Sequence, residues 1–156
     1  MSLFIGEYEL SLDVKGRFLL PSGFRKQLPE AEGLSFVLSR GFEKCLNLYP
    51  LKEWQRLAEQ IHKLNDFNPK VRDFKRLFLN GANIVEGDSA GRILIHKSLL
   101  EYAGIQKDLL LTAQGNKLEL WDVQSYKQHI ENKMADFSNL AQELLGNGSM
   151  NPFDQV

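Results

Sequence analysis

A chain of 156 residues, 43% hydrophobic and 25% charged, is long enough for one ordinary domain, and its ten Phe, two Trp and four Tyr exclude disorder over most of its length. No run approaches the roughly 20 apolar residues of a membrane helix, and the first residues lack the basic region and apolar stretch of a signal peptide. The net charge of −1 hides a gradient, with 13 Lys and Arg against 10 Asp and Glu in residues 1–78, and 6 against 10 in residues 79–156. An anionic partner would therefore meet a local patch in the first half rather than bulk charge. The single cysteine, Cys45, cannot close an internal disulfide, which points to a reducing compartment, the cytoplasm.

The chain repeats itself. Asp13-Val-Lys-Gly16-Arg17-Phe-Leu-Leu20 matches Asp88-Ser-Ala-Gly91-Arg92-Ile-Leu-Ile95 at an offset of 75, and Gly6 matches Gly81. Further on, Leu46–Tyr49 matches Leu118–Trp121 at an offset of 72, so the first copy carries three extra residues between the anchors. In chain order, an alternating segment (Tyr8, Leu10, Leu12) predicts a strand. The D-x-x-G-R turn follows, its glycine permitting positive φ. A second apolar run, Phe18–Leu20, leads to a short helix of about two turns, then to a strand at 34–38. A polar turn with Gly41 precedes the fourth strand at 46–49, a hairpin signal. Copy two repeats the order with Ile84, Ile93–Ile95, 109–112 and 118–121.

A helix follows each fourth strand. Leu51, Trp54, Leu57, Ala58, Ile61 and Leu64 recur at three- and four-residue steps in the first. Val123, Tyr126, Ile130, Met134, Phe137, Ala141 and Leu144 do so in the second, as one run. Asn68-Pro69 breaks the first helix, and a further short helix is expected at about 70–78. The expected organisation is a first unit over 4–64, a linker and short helix over 65–78, a second unit over 79–145, and a mobile tail over 146–156. A four-stranded unit of about 45 residues cannot bury a core alone. Two copies can cover each other, so the fold expected is α+β, mainly β: one pseudo-symmetric β-barrel with flanking helices.

No catalytic set is evident. His62, His96 and His129 are scattered, and Cys45 has no C-x-x-C partner, so neither a metal site nor a cofactor is expected. There is no G-x-S-x-G elbow and no phosphate-binding glycine loop with Lys and Ser or Thr. The informative feature is the doubled D-x-x-G-R. One reading is structural: Asp13 and Asp88 pair with their arginines and fix the loops, and Gly16 and Gly91 serve backbone geometry. The other is functional: Arg17 and Arg92 project from twin loops to meet phosphates or guanine edges, which the planar guanidinium fork suits. Lys15, Arg25 and Lys26 add charge near the first loop, which is therefore expected to hold a nucleic-acid backbone more strongly than the second.

These residues carry a resemblance that runs from about Phe4 to Leu145. Asp13-Val-Lys-Gly-Arg17-Phe-Leu-Leu-Pro21 with Phe24-Arg25, Arg76-Leu-Phe78-Leu-Asn-Gly81-Ala82, and Asp88-Ser-Ala-Gly-Arg92-Ile-Leu-Ile95 with Glu101-Tyr-Ala-Gly104-Ile105 are similar to the MraZ family. That family consists of bacterial transcriptional regulators built from two SpoVT-AbrB-like units. The resemblance implies a swapped-hairpin, AbrB-like barrel in each chain and homo-oligomers closed into a ring, often of eight subunits. It implies binding to double-stranded DNA at tandem direct repeats upstream of the protein's own division and cell-wall gene cluster, commonly as a repressor, and hence a nucleoid association. It places the DNA-contacting arginine on Arg17, its counterpart on Arg92, and a backbone contact on Lys15. The chain departs from the family at His96, where the counterpart of Pro21 is usually proline, so the short helix that follows is free to start differently.

Two other readings stay open on the residues alone. A ring-forming protein-interaction module would suit the near-neutral charge and the aromatics Trp54, Phe67 and Phe74. A small enzyme would need a pocket of converging titratable groups, for which the sequence offers no candidate.

Overall fold

A computed structural model describes residues 3–146 and 151–155. It is α+β, with eight strands in antiparallel sheets and six helices among those residues. The first copy contributes β1 (Glu7–Ser11), β2 (Arg17–Leu19), a one-turn helix α1 (Ser22–Arg25), β3 (Ser35–Arg40), β4 (Leu46–Pro50) and α2 (Leu51–His62). After α3 (Pro69–Phe78) the second copy gives β5 (Asn83–Glu86), β6 (Arg92–Leu94), α4 (Lys97–Ala103), β7 (Asp108–Gln114) and β8 (Lys117–Asp122). Helices α5 (Val123–Met134) and α6 (Phe137–Leu145) follow.

The strand pairing exchanges hairpins between the copies. β1 pairs with β7 and β2 with β6, while β5 of the second copy pairs with β3 of the first. Six strands form one sheet in the order β1-β7-β8-β4-β3-β5, and β2 with β6 forms a separate ribbon. Among the described residues the strands are thus shared between two sheets and are not joined into one hydrogen-bonded ring. Exchanging the copies reverses the six-stranded order onto itself, which defines a pseudo-twofold relation. Its axis passes through two self-paired positions. Phe18 lies opposite Ile93 in the ribbon, and Asn47 lies opposite Glu119 between β4 and β8. Those pairs have separations of 75 and 72, the two offsets of the repeat.

The core fills the space between sheet and ribbon. Phe18, Leu20, Phe24, Phe36, Leu38, Leu46 and Leu48 meet Ile93, Ile95, Leu99, Leu109, Leu111, Leu118 and Leu120, all buried. Buried polar groups are paired, as the unfavourable transfer of an unsatisfied amide requires. Asn47 accepts from Lys117 Nζ at 2.8 Å and donates to Arg40 O at 3.4 Å. A second cluster joins Tyr49 of β4 to Ile61 and Phe78, with Trp54, Leu57 and Phe74 packed on it. The aromatic helix residues Trp54 and Phe74 therefore lie in a core, whereas Phe67 is exposed.

Several local expectations change. Asn68-Pro69 does more than end a helix: the Asn68 side chain accepts from Lys70 N, capping α3 with proline at its first turn. The long second helix is two helices, parted at Ala135-Asp136, where Asp136 N donates to Lys133 O in a turn. His96 adopts φ −62° and ψ 143°, close to −58° and 142° at Pro21, so the start of the short helix is preserved without proline. Of the stretch expected as a tail, residues 147–150 and 156 lie outside the described residues, and Pro152–Gln155 forms a 3-10 turn.

The chain divides into compact units Met1–Val123 and Gln124–Val156. This division does not follow the repeat boundary, because the exchanged hairpins bind both copies into the first unit. In the second unit Met134, Phe137, Leu140 and Leu144 are exposed. No helix among the described residues is long and apolar enough to cross a membrane.

Phe18, 1% exposed on the axis, and its neighbour Leu19, 54% exposed, provide a paired test of this packing. Phe18→Ala is expected to cost about 3–5 kcal/mol in chemical denaturation at fixed protein concentration, and Leu19→Ala under about 1 kcal/mol.

Candidate functional site

The D-x-x-G-R segments are the tips of the two exchanged hairpins. Gly16 N–H donates to Asp13 O at 3.0 Å, closing a reverse turn, and Asp13 N–H donates to Arg17 O at 2.8 Å. Gly16 has φ +84°, a conformation that a side chain rarely allows. The second loop repeats every contact: Gly91 N–H to Asp88 O at 2.9 Å, Asp88 N–H to Arg92 O at 2.9 Å, and Gly91 at φ +86°.

Each aspartate spends both oxygens. Asp13 Oδ1 accepts from the backbone N–H of Lys15 and of Arg17, both at 2.9 Å, and Oδ2 accepts from Arg17 Nε at 2.7 Å. Asp88 Oδ1 accepts from Ala90 and Arg92 N–H, both at 2.9 Å, and Oδ2 from Arg92 Nε at 2.9 Å. The loops show the structural reading of the motif. The carboxylate closes the turn and holds the arginine by Nε.

The loops lie side by side. Leu20 N–H donates to Gly91 O at 3.1 Å and Ile95 N–H to Gly16 O at 3.0 Å, a reciprocal pair across the axis. Arg17 Nη1 reaches within 3.9 Å of Asp88 Oδ2, so Arg17 stands between two carboxylates. Its side chain is 25% exposed, against 41% for Arg92. Val14, Lys15, Ser89 and Ala90 at the tips are exposed.

Arg25 is exposed on α1 and crosses to the second loop, with Nη2 3.5 Å from Ala90 O. It lies over the bare Cα of Gly91, where a Cβ would collide with its guanidinium. Lys26 is exposed and borders a shallow cleft with Leu28, Pro29 and Leu34. The structure thus gathers Asp13, Gly16, Arg17, Asp88, Gly91, Arg92 and Arg25, with Lys15 at the tip, and leaves Lys26 beside them. Leu100, which sequence reasoning did not single out, packs near Gly16. Its signal was the offset of 75, which makes it the counterpart of Arg25.

Both loop carboxyls are held below the ordinary aspartate value of 3.8. For each the largest cause is the backbone N–H of its arginine, Arg17 or Arg92. A depressed folded value stabilises the loop above about pH 4 and is lost as pH falls through it.

Elsewhere, Cys45 Sγ and carboxylate oxygens of Glu43 and Glu119 lie within 4.8 Å of one another. The sequence separates Glu119 from the other two by more than 70 residues, and the β4–β8 pairing brings it in. Burial first, then the charges of Glu119 and Glu43, push the Cys45 thiol up to about 12. It is a protonated, inert core group.

Comparison with known proteins agrees with the repeat. A family profile described as MraZ protein matches twice, over residues 3–77 and 78–148. Transcriptional regulator MraZ of Flavobacterium psychrophilum is 42% identical over 148 residues, 94% of each chain. That of Christiangramia forsetii is 43% identical over 144 residues, covering 92% of this chain and 93% of the relative. That of Clostridium acetobutylicum is 37% identical over 142 residues, covering 91% and 96%.

Two checks bear on this geometry. Carbon-detected NMR titration should give Asp13 and Asp88 midpoints below 3.8, with the Lys15 and Ala90 amide shifts moving at the same pH. A water-soluble disulfide reagent should leave Cys45 unmodified at neutral pH in the native protein and titrate one thiol per chain after denaturation. The doubled motif, the exchanged hairpins and two profile matches that together span residues 3–148 place the chain in the MraZ family, a family of transcriptional regulators and not of enzymes.

Proposed function

We propose that the protein is a sequence-specific DNA-binding transcriptional regulator whose twin loops contact double-stranded DNA. The observation that carries this reading is that Arg17 and Arg92 both approach Asp88, Arg92 Nε at 2.9 Å and Arg17 Nη1 at 3.9 Å. Each is fixed by its aspartate through Nε, and Arg17 Nη1 also lies 3.9 Å from Asp88 Oδ2. Two Nη groups side by side match guanine O6 and N7, or two phosphate oxygens, end-on. Because Nε is already bound, less side-chain freedom is lost when DNA arrives. Lys15 at the first tip and Arg25 against the second supply backbone contacts, and Lys26 adds charge from the flank.

The site extends through assembly. The chain alone is near neutral, and Asp13 and Asp88 offset part of the loop charge. A ring of about eight copies would repeat the loops around an axis and meet tandem direct repeats with successive subunits, raising affinity without new contacts. The exposed Phe137, Leu140 and Leu144 of α6 supply an apolar surface of the kind that association covers. The DNA proposed is the tandem repeats upstream of the protein's own division and cell-wall gene cluster, with repression as the usual outcome. Action there would place it in the cytoplasm, on the nucleoid.

The experiment is a salt titration of binding to the DNA upstream of its own gene, with scrambled DNA as control. Selective binding is expected, with log affinity falling linearly in log salt. Arg17→Ala and Arg92→Ala should each weaken binding by roughly 5- to 150-fold, the loss of one bidentate contact, while the assembly mass stays unchanged. Equal binding to both DNAs, or a neutral Arg17→Ala, would leave the interaction-module reading in its place.

A further inference from the structure

Val14 is the most exposed of the large apolar side chains among the described residues, at 104%. It stands at the tip of the first hairpin, midway between β1, which ends at Ser11, and β2, which starts at Arg17. The Gly16 N–H to Asp13 O hydrogen bond closes the turn and makes Val14 and Lys15 its two corner residues. The groups around it are polar and fixed, since the Asp13 carboxylate holds both the Lys15 N–H and Arg17 Nε. A β-branched side chain has few rotamers, so the isopropyl group has little freedom left to lose on contact.

The fold does not call for valine here. At the offset of 75 its counterpart is Ser89, in a second turn with matching hydrogen bonds, so serine satisfies the same backbone. An isopropyl group kept in water forgoes the favourable burial of its surface, which a partner with an apolar group would restore. On a DNA duplex that group is the C5-methyl of thymine, displayed on the base edge in the major groove and met there by apolar side chains. Phosphates and the minor-groove edges carry no such methyl. The guanidinium, ammonium and amide groups of the loop suit phosphates and purine edges, and none of them gains from a methyl.

We propose that Val14 reads the C5-methyl group of a thymine in the major groove and so sets a sequence preference beside the contact made by Arg17. It rests on the DNA-binding reading above and deepens it by naming the base edge that the first tip meets. The second tip offers the Ser89 hydroxyl in the same place, which both donates and accepts and selects no methyl.

The test uses the full chain and double-stranded fragments from upstream of the gene, with thymines of the bound repeats replaced one position at a time by deoxyuridine. Deoxyuridine keeps the hydrogen-bonding edge of thymine and lacks only the methyl. One position is expected at which the replacement weakens native binding by roughly fourfold per repeat, the effect of one buried methyl-sized group. Val14→Ser gives the first tip the residue of the second. It should bind the thymine and deoxyuridine fragments equally, while keeping its selectivity over scrambled DNA and the native assembly mass. Native binding indifferent to every replacement, or discrimination that survives Val14→Ser, overturns the methyl reading and leaves DNA binding standing. Loss of the assembly in Val14→Ser also overturns it, by making Val14 a contact between subunits. Absence of selective binding by the native protein overturns both.

Discussion

The pairing of β2 with β6 is the constraint on which the site depends. Each is three residues long, too short to persist alone, and each finds its partner only in the other copy. The exchange forces two turns 75 residues apart in the chain to lie together, stitched by the Leu20–Gly91 and Ile95–Gly16 hydrogen bonds. Phe18 and Ile93, on the axis, anchor the ribbon in the core. The arginines consequently project from a rigid junction and not from independent mobile loops. A binding group gains from such support because its geometry is set before the ligand arrives.

Within that junction the aspartates perform two tasks with one carboxylate each. Oδ1 satisfies turn amides that would otherwise be left to water, and Oδ2 orients a guanidinium. The electrostatic cost is a negative charge beside each positive one, which keeps the patch weak in long-range attraction. A weak patch with fixed forks favours contacts that need correct placement over contacts that need only charge. In the DNA-binding reading proposed above, that balance would suit discrimination among sequences better than bulk retention on any duplex.

The repeat and the succession of strands along the chain were legible because glycine, aspartate and arginine at fixed spacing leave a pattern that survives low identity. The two offsets turned out to name the self-paired residues, Phe18 with Ile93 and Asn47 with Glu119. What the chain concealed was long-range. Nothing local to Arg25 says that it crosses to a loop 65 residues away, and nothing near Cys45 announces Glu119. The helix break at Ala135-Asp136 carries neither proline nor glycine, so the apolar period ran through it unbroken. His96 shows the converse: packing imposed the proline-like backbone on a residue that does not require it.

Asymmetry between the copies follows from the same economy. The three extra residues of copy one fall where they do not disturb the axis. β3 and β7 correspond at an offset of 73, so two lie before β3, around the 3-10 turn at Glu30–Glu32, and one in the β3–β4 turn. The sheet and ribbon keep their pseudo-symmetry because backbone pairing and core volume demand it. Positions that face solvent are under no such demand, and there the copies differ, as Lys15 against Ala90 and Lys26 against Glu101 show. A duplicated fold can therefore keep a symmetric scaffold while its exposed residues diverge, because pairing and packing constrain the first and leave the second unconstrained.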